Sequence, residues 1–311
     1  MALAVVVDVC LLVTGVAALW VGAQRFVDSA ARLARRAGIS ELVVGLSVVA
    51  LGTSAPEAAV TVDAAVTGRP TIALANVVGS NVFNLGLILG GVALLAPVVG
   101  RRKLLRRDGT AAVLATLALL AVGADGTVSG VEGGLLLAGF LAYLAVLFGS
   151  ADRSGTPTPA AGASSGRLPV PVWVVVGLAL VVGGANLLVA SAADLARLLG
   201  ASEWLVGETV VAVGTSAPEV AAALAATREG LADIVAGNLV GSCIFNALGV
   251  LGVAAVLVEL PVTGEASFAL LWLTGLTVVA VGLLATGRRL SRPEGSALVV
   301  ANLAKWLLDL F

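Results

Sequence analysis

The sequence predicts an all-α membrane protein of ten transmembrane helices, built as two inverted five-helix repeats, and three observations carry that prediction. Hydrophobic residues make up 59% of the 311-residue chain and charged residues 12%, a balance typical of chains that live in lipid. About ten apolar runs approach the ~20 residues that a helix needs to cross the hydrocarbon core, with short polar breaks between them. The hexapeptide Gly52-Thr53-Ser54-Ala55-Pro56-Glu57 returns 162 residues later as Gly214-Thr215-Ser216-Ala217-Pro218-Glu219, and the same offset carries Gly79-Ser80 and Phe83-Asn84 onto Gly241-Ser242 and Phe245-Asn246.

In chain order, the first run spans about 3–23 and has no basic residue ahead of it, which marks a retained helix and not a cleaved signal. A polar segment with Arg25, Arg32, Arg35 and Arg36 follows, then a second run over about 39–67 that holds the first hexapeptide. The third, about 71–99, carries Ser80, Asn81 and Asn84 and ends at the basic cluster Arg101-Arg102-Lys103, which reads as a topology anchor. Runs at about 109–123 and 129–149 have few polar residues and read as scaffold. Residues 151–168, rich in Gly, Ser, Thr and Pro, form a flexible cytoplasmic linker between a first repeat at 1–150 and a second at 169–311. The second repeat retraces the first with runs at about 171–199, 203–227, 232–258, 265–286 and 295–311.

Five helices per repeat make the second repeat start from the opposite face. Grouping the loops after runs one, three, five, seven and nine gathers fifteen of the eighteen basic residues on one side, so the positive-inside rule places that side in the cytoplasm and both termini outside a multi-pass protein of the cell membrane. Inverted repeats are characteristic of secondary transporters, whose substrate sites lie near the midplane on broken helices.

Several function classes drop out. A net charge of −1 and scattered arginines offer no nucleic-acid surface, and the absence of histidine removes His-ligated metal and His proton relays. Cys10 and Cys243 lie in apolar runs, which argues against a disulfide or a zinc site. No catalytic residue, cofactor or obligatory protein partner is expected. A passive channel would favour identical subunits around a filter, and an intramembrane aspartyl protease would need Asp in a Gly-x-Gly-Asp setting; this chain has Glu in a different one.

The duplicated hexapeptide reads as a cation site. Thr53 and Ser54 precede Glu57 by four and three residues, so their hydroxyls sit on or beside the carboxylate face, as Thr215 and Ser216 do for Glu219. Pro56 and Pro218 lack an N–H and leave the carbonyls of Gly52 and Gly214 without their helical donor. Ser80 and Asn84, four apart, recur as Ser242 and Asn246, while Gly79 and Gly241 permit close helix approach. Hard cations take six to eight oxygens of these kinds. Two carboxylates in the bilayer repel and are costly when empty, and one Ca²⁺, two Na⁺ or two H⁺ neutralise them equally, which is a physical basis for exchange.

These residues resemble the two alpha repeats of the calcium/cation antiporter superfamily, in particular the prokaryotic sodium/calcium exchanger family. The resemblance implies that Glu57 and Glu219 are central calcium ligands with oxygens added by Thr53 and Thr215, and that Ser54, Ser216, Ser80, Ser242 and the backbones of Ala50 and Ala212 serve flanking sodium sites. Asn84 and Asn246 fall at the paired positions of runs three and eight. Two departures bear on coupling: Asn246 stands where sodium-driven members often carry Asp, and Cys243 replaces the oxygen that Asn81 supplies in the first repeat. Proton coupling through the same glutamates is therefore the alternative. Asp8, Asp63, Asp194, Glu203 and Asp233 read as surface, and Glu208, whose counterpart is Leu46, as an interfacial acid near the outer mouth.

Overall fold

The computed structural model describes residues 2–36, 53–100, 102–149, 170–228 and 232–309. The 151–168 linker, Ala50, Gly52 and the first part of the 39–67 run lie outside the described residues.

The described chain is almost wholly helical. Helix α1 spans Ala2–Arg36, α2 Ala55–Val66 and α3 Pro70–Leu95. Helix α4 is built of Arg102–Leu104, a π-helical turn at Leu105–Gly109 and Thr110–Val122, and α5 is Gly130–Gly149. Helix α6 covers Val170–Leu199, α7 Glu203–Thr215 and α8 Ala217–Arg228. Helix α9 joins Ala232–Ile244, a π turn at Phe245–Val250 and Leu251–Leu257, α10 is Gly264–Gly287 and α11 Arg292–Leu308. Among the described residues, six helices are long and apolar enough to cross a membrane, and α7 with α8 makes a seventh span if that bent pair is counted as one. The remaining candidates are short: the regular part of α4 has 13 residues and α11 has 17, and α2 begins at the edge of the undescribed stretch.

Boundaries differ from the sequence reading in instructive ways. The first helix does not stop near residue 23 but runs on to Arg36, because nothing from Gln24 to Arg36 is Gly or Pro and arginine is a good helix former. The third ends at Leu95, where Ala96 turns to extended backbone ahead of Pro97. Local chemistry sets the other ends: Gly68 (φ +80°) and Gly200 (φ +67°) take left-handed conformations in the turns after α2 and α6, and Ser291 and Glu294 close a capping box at the start of α11.

Two short ladders have no signal in the helical pattern of the sequence. Strand β1 (Val98–Val99) pairs antiparallel with β4 (Arg289–Leu290), and β2 (Thr127–Val128) with β3 (Leu260–Pro261). Val98 faces Leu290, and Leu260, 162 residues after Val98, faces Val128, 162 residues before Leu290. Each ladder therefore joins one repeat to the other with the same registration.

Glycine contacts follow the same exchange rule. A Cβ on Gly184 of α6 would lie 2.8 Å from the Gly15 carbonyl of α1, and one on Gly22 would lie 2.9 Å from the Gly177 carbonyl; Gly15 and Gly22 are the counterparts of Gly177 and Gly184. Gly90 of α3 meets Gly295 of α11 at 2.8 Å, and Gly133 of α5 meets Gly252 of α9 at 2.9 Å. Small residues let these backbones touch where lipid supplies no hydrophobic drive. The core lies around α3, α7 and α9, whose residues are mostly buried, whereas α1 and α5 present most of their surface outward.

The α1–α6 contact is testable. Gly184→Ala places a methyl against the backbone of Gly15 and Leu19 and should cost about 1–3 kcal/mol by overpacking, read as a lowered thermal midpoint in detergent. Gly183→Ala, which meets nothing within 4 Å among the described residues, should leave the midpoint unchanged or slightly raised.

Candidate functional site

The described residues of the two hexapeptides meet inside the protein. Pro218 sits at the second position of α8 and cannot donate to Gly214, so the helix breaks at Ser216 and α7 and α8 diverge by 45°. Pro56 occupies the same place in α2, after a turn at Ser54. The turns at Ser54 and Ser216 bring each serine to the glutamate of the other repeat.

Glu57 and Glu219 are both fully buried. The Ser216 hydroxyl donates to Glu57 Oε1 at 2.9 Å, and the Ser54 hydroxyl to Glu219 Oε1 at 3.1 Å. The hydroxyls therefore serve the carboxylate of the opposite repeat, not the one on their own helix as the spacing suggests. Thr53 also hydrogen-bonds Glu219, and Ser54 lies 3.0 Å from Ser242 Oγ. The second oxygens, Glu57 Oε2 and Glu219 Oε2, are buried with no hydrogen-bond partner among the described residues.

Helices α3 and α9 complete the site. Ser80 Oγ is 3.4 Å from Thr215 Oγ1, and Asn81 Nδ2 donates to the Cys243 carbonyl at 3.1 Å and Asn246 Nδ2 to Asn81 Oδ1 at 3.3 Å. Asn81 and Cys243, equivalent in the two repeats, thus touch one another. Asn84 and Asn246 are fully buried; both polar atoms of Asn84 and Oδ1 of Asn246 lack partners among the described residues. Asn84 opens a π turn at Asn84–Ile88, and Asn246 sits in the matching one at Phe245–Val250, a distortion that recurs at functional positions in helices. The unpartnered Glu57 Oε2, Glu219 Oε2, Asn84 Oδ1 and Asn246 Oδ1 are four hard oxygen donors of the kind that Ca²⁺ and Na⁺ accept; an orphaned buried acceptor is costly without such an occupant. The Ala212 carbonyl, a candidate from the resemblance, accepts from Ser216 N at 3.0 Å and lies 3.1 Å from Thr215 Oγ1.

One residue of the site escapes the sequence reading. Asn76 is fully buried; its Nδ2 donates to Thr61 Oγ1 at 2.9 Å and to the Glu57 carbonyl at 3.3 Å, and its Oδ1 accepts from Thr215 at 3.1 Å. It orients the Glu57 turn and Thr215 together. The signal is present: Asn76, Ser80 and Asn84 recur at four-residue spacing as Asn238, Ser242 and Asn246.

Two acids sit otherwise than expected. Glu208 does not face solvent but is fully buried, paired with Lys305 at 2.9 Å and accepting from Trp204 Nε1 at 2.7 Å; a carboxylate with an ammonium and an indole N–H can leave water. Asp63 is half-buried and accepts from Asn186 of α6 at 3.2 Å. Asp194 is on the surface as expected, paired with Arg197. Gly79 makes the close approach expected of it, against Glu208, while a Cβ on Gly241 would meet nothing within 4 Å among the described residues.

Residues 7–149 and 169–303 match the family described as sodium/calcium exchanger protein. The chain belongs to the sodium/calcium exchanger family. Its relatives include the putative antiporter CaxA of Alkalimonas amylolytica, 35% identical with 95% of this chain and 96% of that protein covered. Sodium/calcium exchanger MaX1 of Methanosarcina acetivorans is 29% identical over 99% of both chains. Among solved structures, the sodium-calcium exchanger NCX_Mj soaked with Na⁺ and Sr²⁺ superposes with a TM-score of 0.66 at 29% identity, covering 96% of this chain and 98% of that one. In this exchanger-family chain, then, the repeated motifs are the ones whose side chains converge.

The crossed hydrogen bonds make a graded prediction. Ser216→Ala removes the side-chain donor of Glu57, whereas Ser54→Ala leaves Glu219 the bond from Thr53; Ser216→Ala should weaken Ca²⁺ binding by about tenfold, the scale of lost outer-shell support at metal sites, and Ser54→Ala by less. Equilibrium dialysis with radioactive Ca²⁺ checks this, and equal losses in the two variants would contradict it.

Proposed function

We propose that the protein is a secondary active antiporter that exchanges Ca²⁺ for Na⁺ across the cell membrane by alternating access, with Glu57 and Glu219 as shared cation ligands at the midplane. The observation that carries this reading is the pair of buried carboxylates, each held by a serine of the opposite repeat with its second oxygen unpartnered among the described residues. Family membership and the NCX_Mj likeness support it. Ca²⁺ is the substrate of the central position, with Thr53, Thr215, Asn84 and Asn246 contributing oxygens. Na⁺ occupies flanking positions served by Ser54, Ser216, Ser80, Ser242 and the backbones of Ala50 and Ala212. A site of two carboxylates is neutral with one Ca²⁺ or with two monovalent ions and carries net charge when empty, so the loaded forms are the ones that cross.

The architecture proposed with this function is ten transmembrane helices in two inverted repeats, 1–150 and 169–311, joined by a flexible cytoplasmic linker at 151–168, with both termini outside. Fifteen of eighteen basic residues on one face support that orientation, and the exchange of equivalent contacts between repeats supports the inversion.

Calcium/proton antiport is the second reading, favoured by one observation: the position equivalent to Asn84 in the second repeat is the neutral Asn246, so both of these buried positions are uncharged and the site has two acids and not three. Ca²⁺ uptake into proteoliposomes separates the two. A sodium gradient at equal pH should drive uptake, a pH gradient without sodium should not, and Glu57→Gln or Glu219→Gln should abolish it without loss of folded protein. Uptake driven only by the pH gradient assigns the proton-coupled class. Asn246→Asp adds a third acid and should shift the sodium titration of uptake; an unchanged titration removes this position from coupling.

A further inference from the structure

The two ladders at the helix ends share one backbone plan and carry opposite charge. Around β2–β3, residues 124–132 and 258–265 hold the acids Asp125, Glu132, Glu259 and Glu265 and no base. Around β1–β4, residues 101–108 hold five bases and one acid, and residues 288–294 three bases and one acid, a surplus of six positive charges. These eight bases are more than half of the fifteen that the sequence gathers on that face. Orienting the chain requires bases on the face, not their concentration at one point.

The ladder makes the concentration. Val99 stands opposite Arg289, and Gly100 N donates to the Arg288 carbonyl at 2.8 Å. Past Gly100 the chain turns into α4, whose Leu105 lies 3.2 Å from a Cβ built on Gly100; a Cβ on Gly109 would fall 2.9 Å from Val281 of α10. Arg102 and Arg106 of the first repeat are thereby brought beside Arg288, Arg289 and Arg292 of the second, and all five are exposed. The acids among them are committed locally, Asp108 to Arg107 at 2.7 and 2.9 Å and Glu294 to Ser291 in the α11 cap at 2.7 and 2.6 Å. Ion pairs among the described residues involve Arg107, Arg197 and Lys305, so none of the five arginines has a carboxylate partner there.

Arg288 takes a left-handed conformation (φ +50°) at the end of α10, whereas the other three positive-φ positions among the described residues are glycine. Glycine is the unstrained residue for such a helix end; arginine keeps the strain and with it the guanidinium. Depth identifies the ligand. Helices α3 and α10, both long and apolar enough to cross a membrane, end at this ladder, so the arginines lie at the membrane surface. Beside them Leu95 and Val99 are 58% and 46% exposed, an apolar rim that suits an acyl chain and not a dissolved anion. Guanidinium groups bind phosphate oxygens through paired N–H donors.

We propose that Arg102, Arg106, Arg288, Arg289 and Arg292 form a headgroup site for an anionic phospholipid of the adjacent leaflet, filled best by a lipid with two phosphates, one for the arginines of each repeat. Bound there, the lipid fastens α3 and α4 to α10 and α11 across the β1–β4 ladder. The site is separate from the buried glutamates and does not depend on which ions they carry.

Thermal midpoints of the purified full chain in detergent test this with three additions: cardiolipin, phosphatidylcholine with the same acyl chains, and inorganic phosphate. A ligand of the folded state raises the midpoint, and cardiolipin should do so by about 3 °C or more, with little rise from the other two. Arg288→Gly relieves the left-handed strain, so its midpoint without lipid should match or exceed that of wild type while most of its cardiolipin-dependent rise is lost. Arg102→Gln/Arg106→Gln should lose most of the rise as well, and Arg228→Gln, on the same face outside the ladder, should keep it. No rise with cardiolipin, or an equal one with phosphatidylcholine, overturns the proposal. An equal rise with inorganic phosphate overturns it in favour of a free-anion site. A rise undiminished in the ladder variants, or lost equally in Arg228→Gln, also overturns it, because the lipid then binds elsewhere or responds only to the charge of the whole face.

Discussion

Two carboxylates buried side by side in a membrane protein are the constraint on which the rest of this structure depends. Neither can ionise cheaply without a cation, and together they repel. The protein meets that cost by crossing its repeats: Ser216 supports Glu57 and Ser54 supports Glu219, so neither half can form a finished site alone. The proline-imposed break between α7 and α8, the π turns at Asn84 and Asn246, and the glycine contacts that bring α3 against α7 all serve that meeting. Membership in the sodium/calcium exchanger family gives the meeting its use.

Symmetry explains most of the packing, and its failures carry the information. Where exchange between repeats needs only shape, the halves agree, as in the paired ladders and the Gly90–Gly295 and Gly133–Gly252 contacts. Where chemistry differs, they part: Asn81 faces Cys243, and the paired Glu208 and Lys305 have Leu46 and Tyr143 as their counterparts in the sequence.

Much of this is legible in the chain. A carboxylate repeated at a fixed offset inside apolar sequence names Glu57 and Glu219, and proline two residues into each following helix predicts the break that α7 and α8 show. Periodicity cannot say that the serines pair across the repeats, since residues three apart on one helix look self-sufficient. Nor can it find the partner of Glu208: Lys305 is 97 residues away, in a run that reads as an ordinary last span, and only tertiary packing brings them together. Asn76 is easy to overlook despite its four-residue spacing to Ser80 and Asn84, because it stands outside the repeated hexapeptide. The first helix reads as too short for a related reason: the arginines from Arg25 to Arg36 end the apolar run, yet they do not end the helix.

The central claim is that one cation is shared by both repeats. Isothermal titration of Ca²⁺ into the purified protein, beside Glu57→Gln and Glu219→Gln, tests it most directly. The account predicts a single central Ca²⁺ that vanishes in either variant. Half of the binding surviving in each would mean two separate sites, one per repeat, and would contradict it.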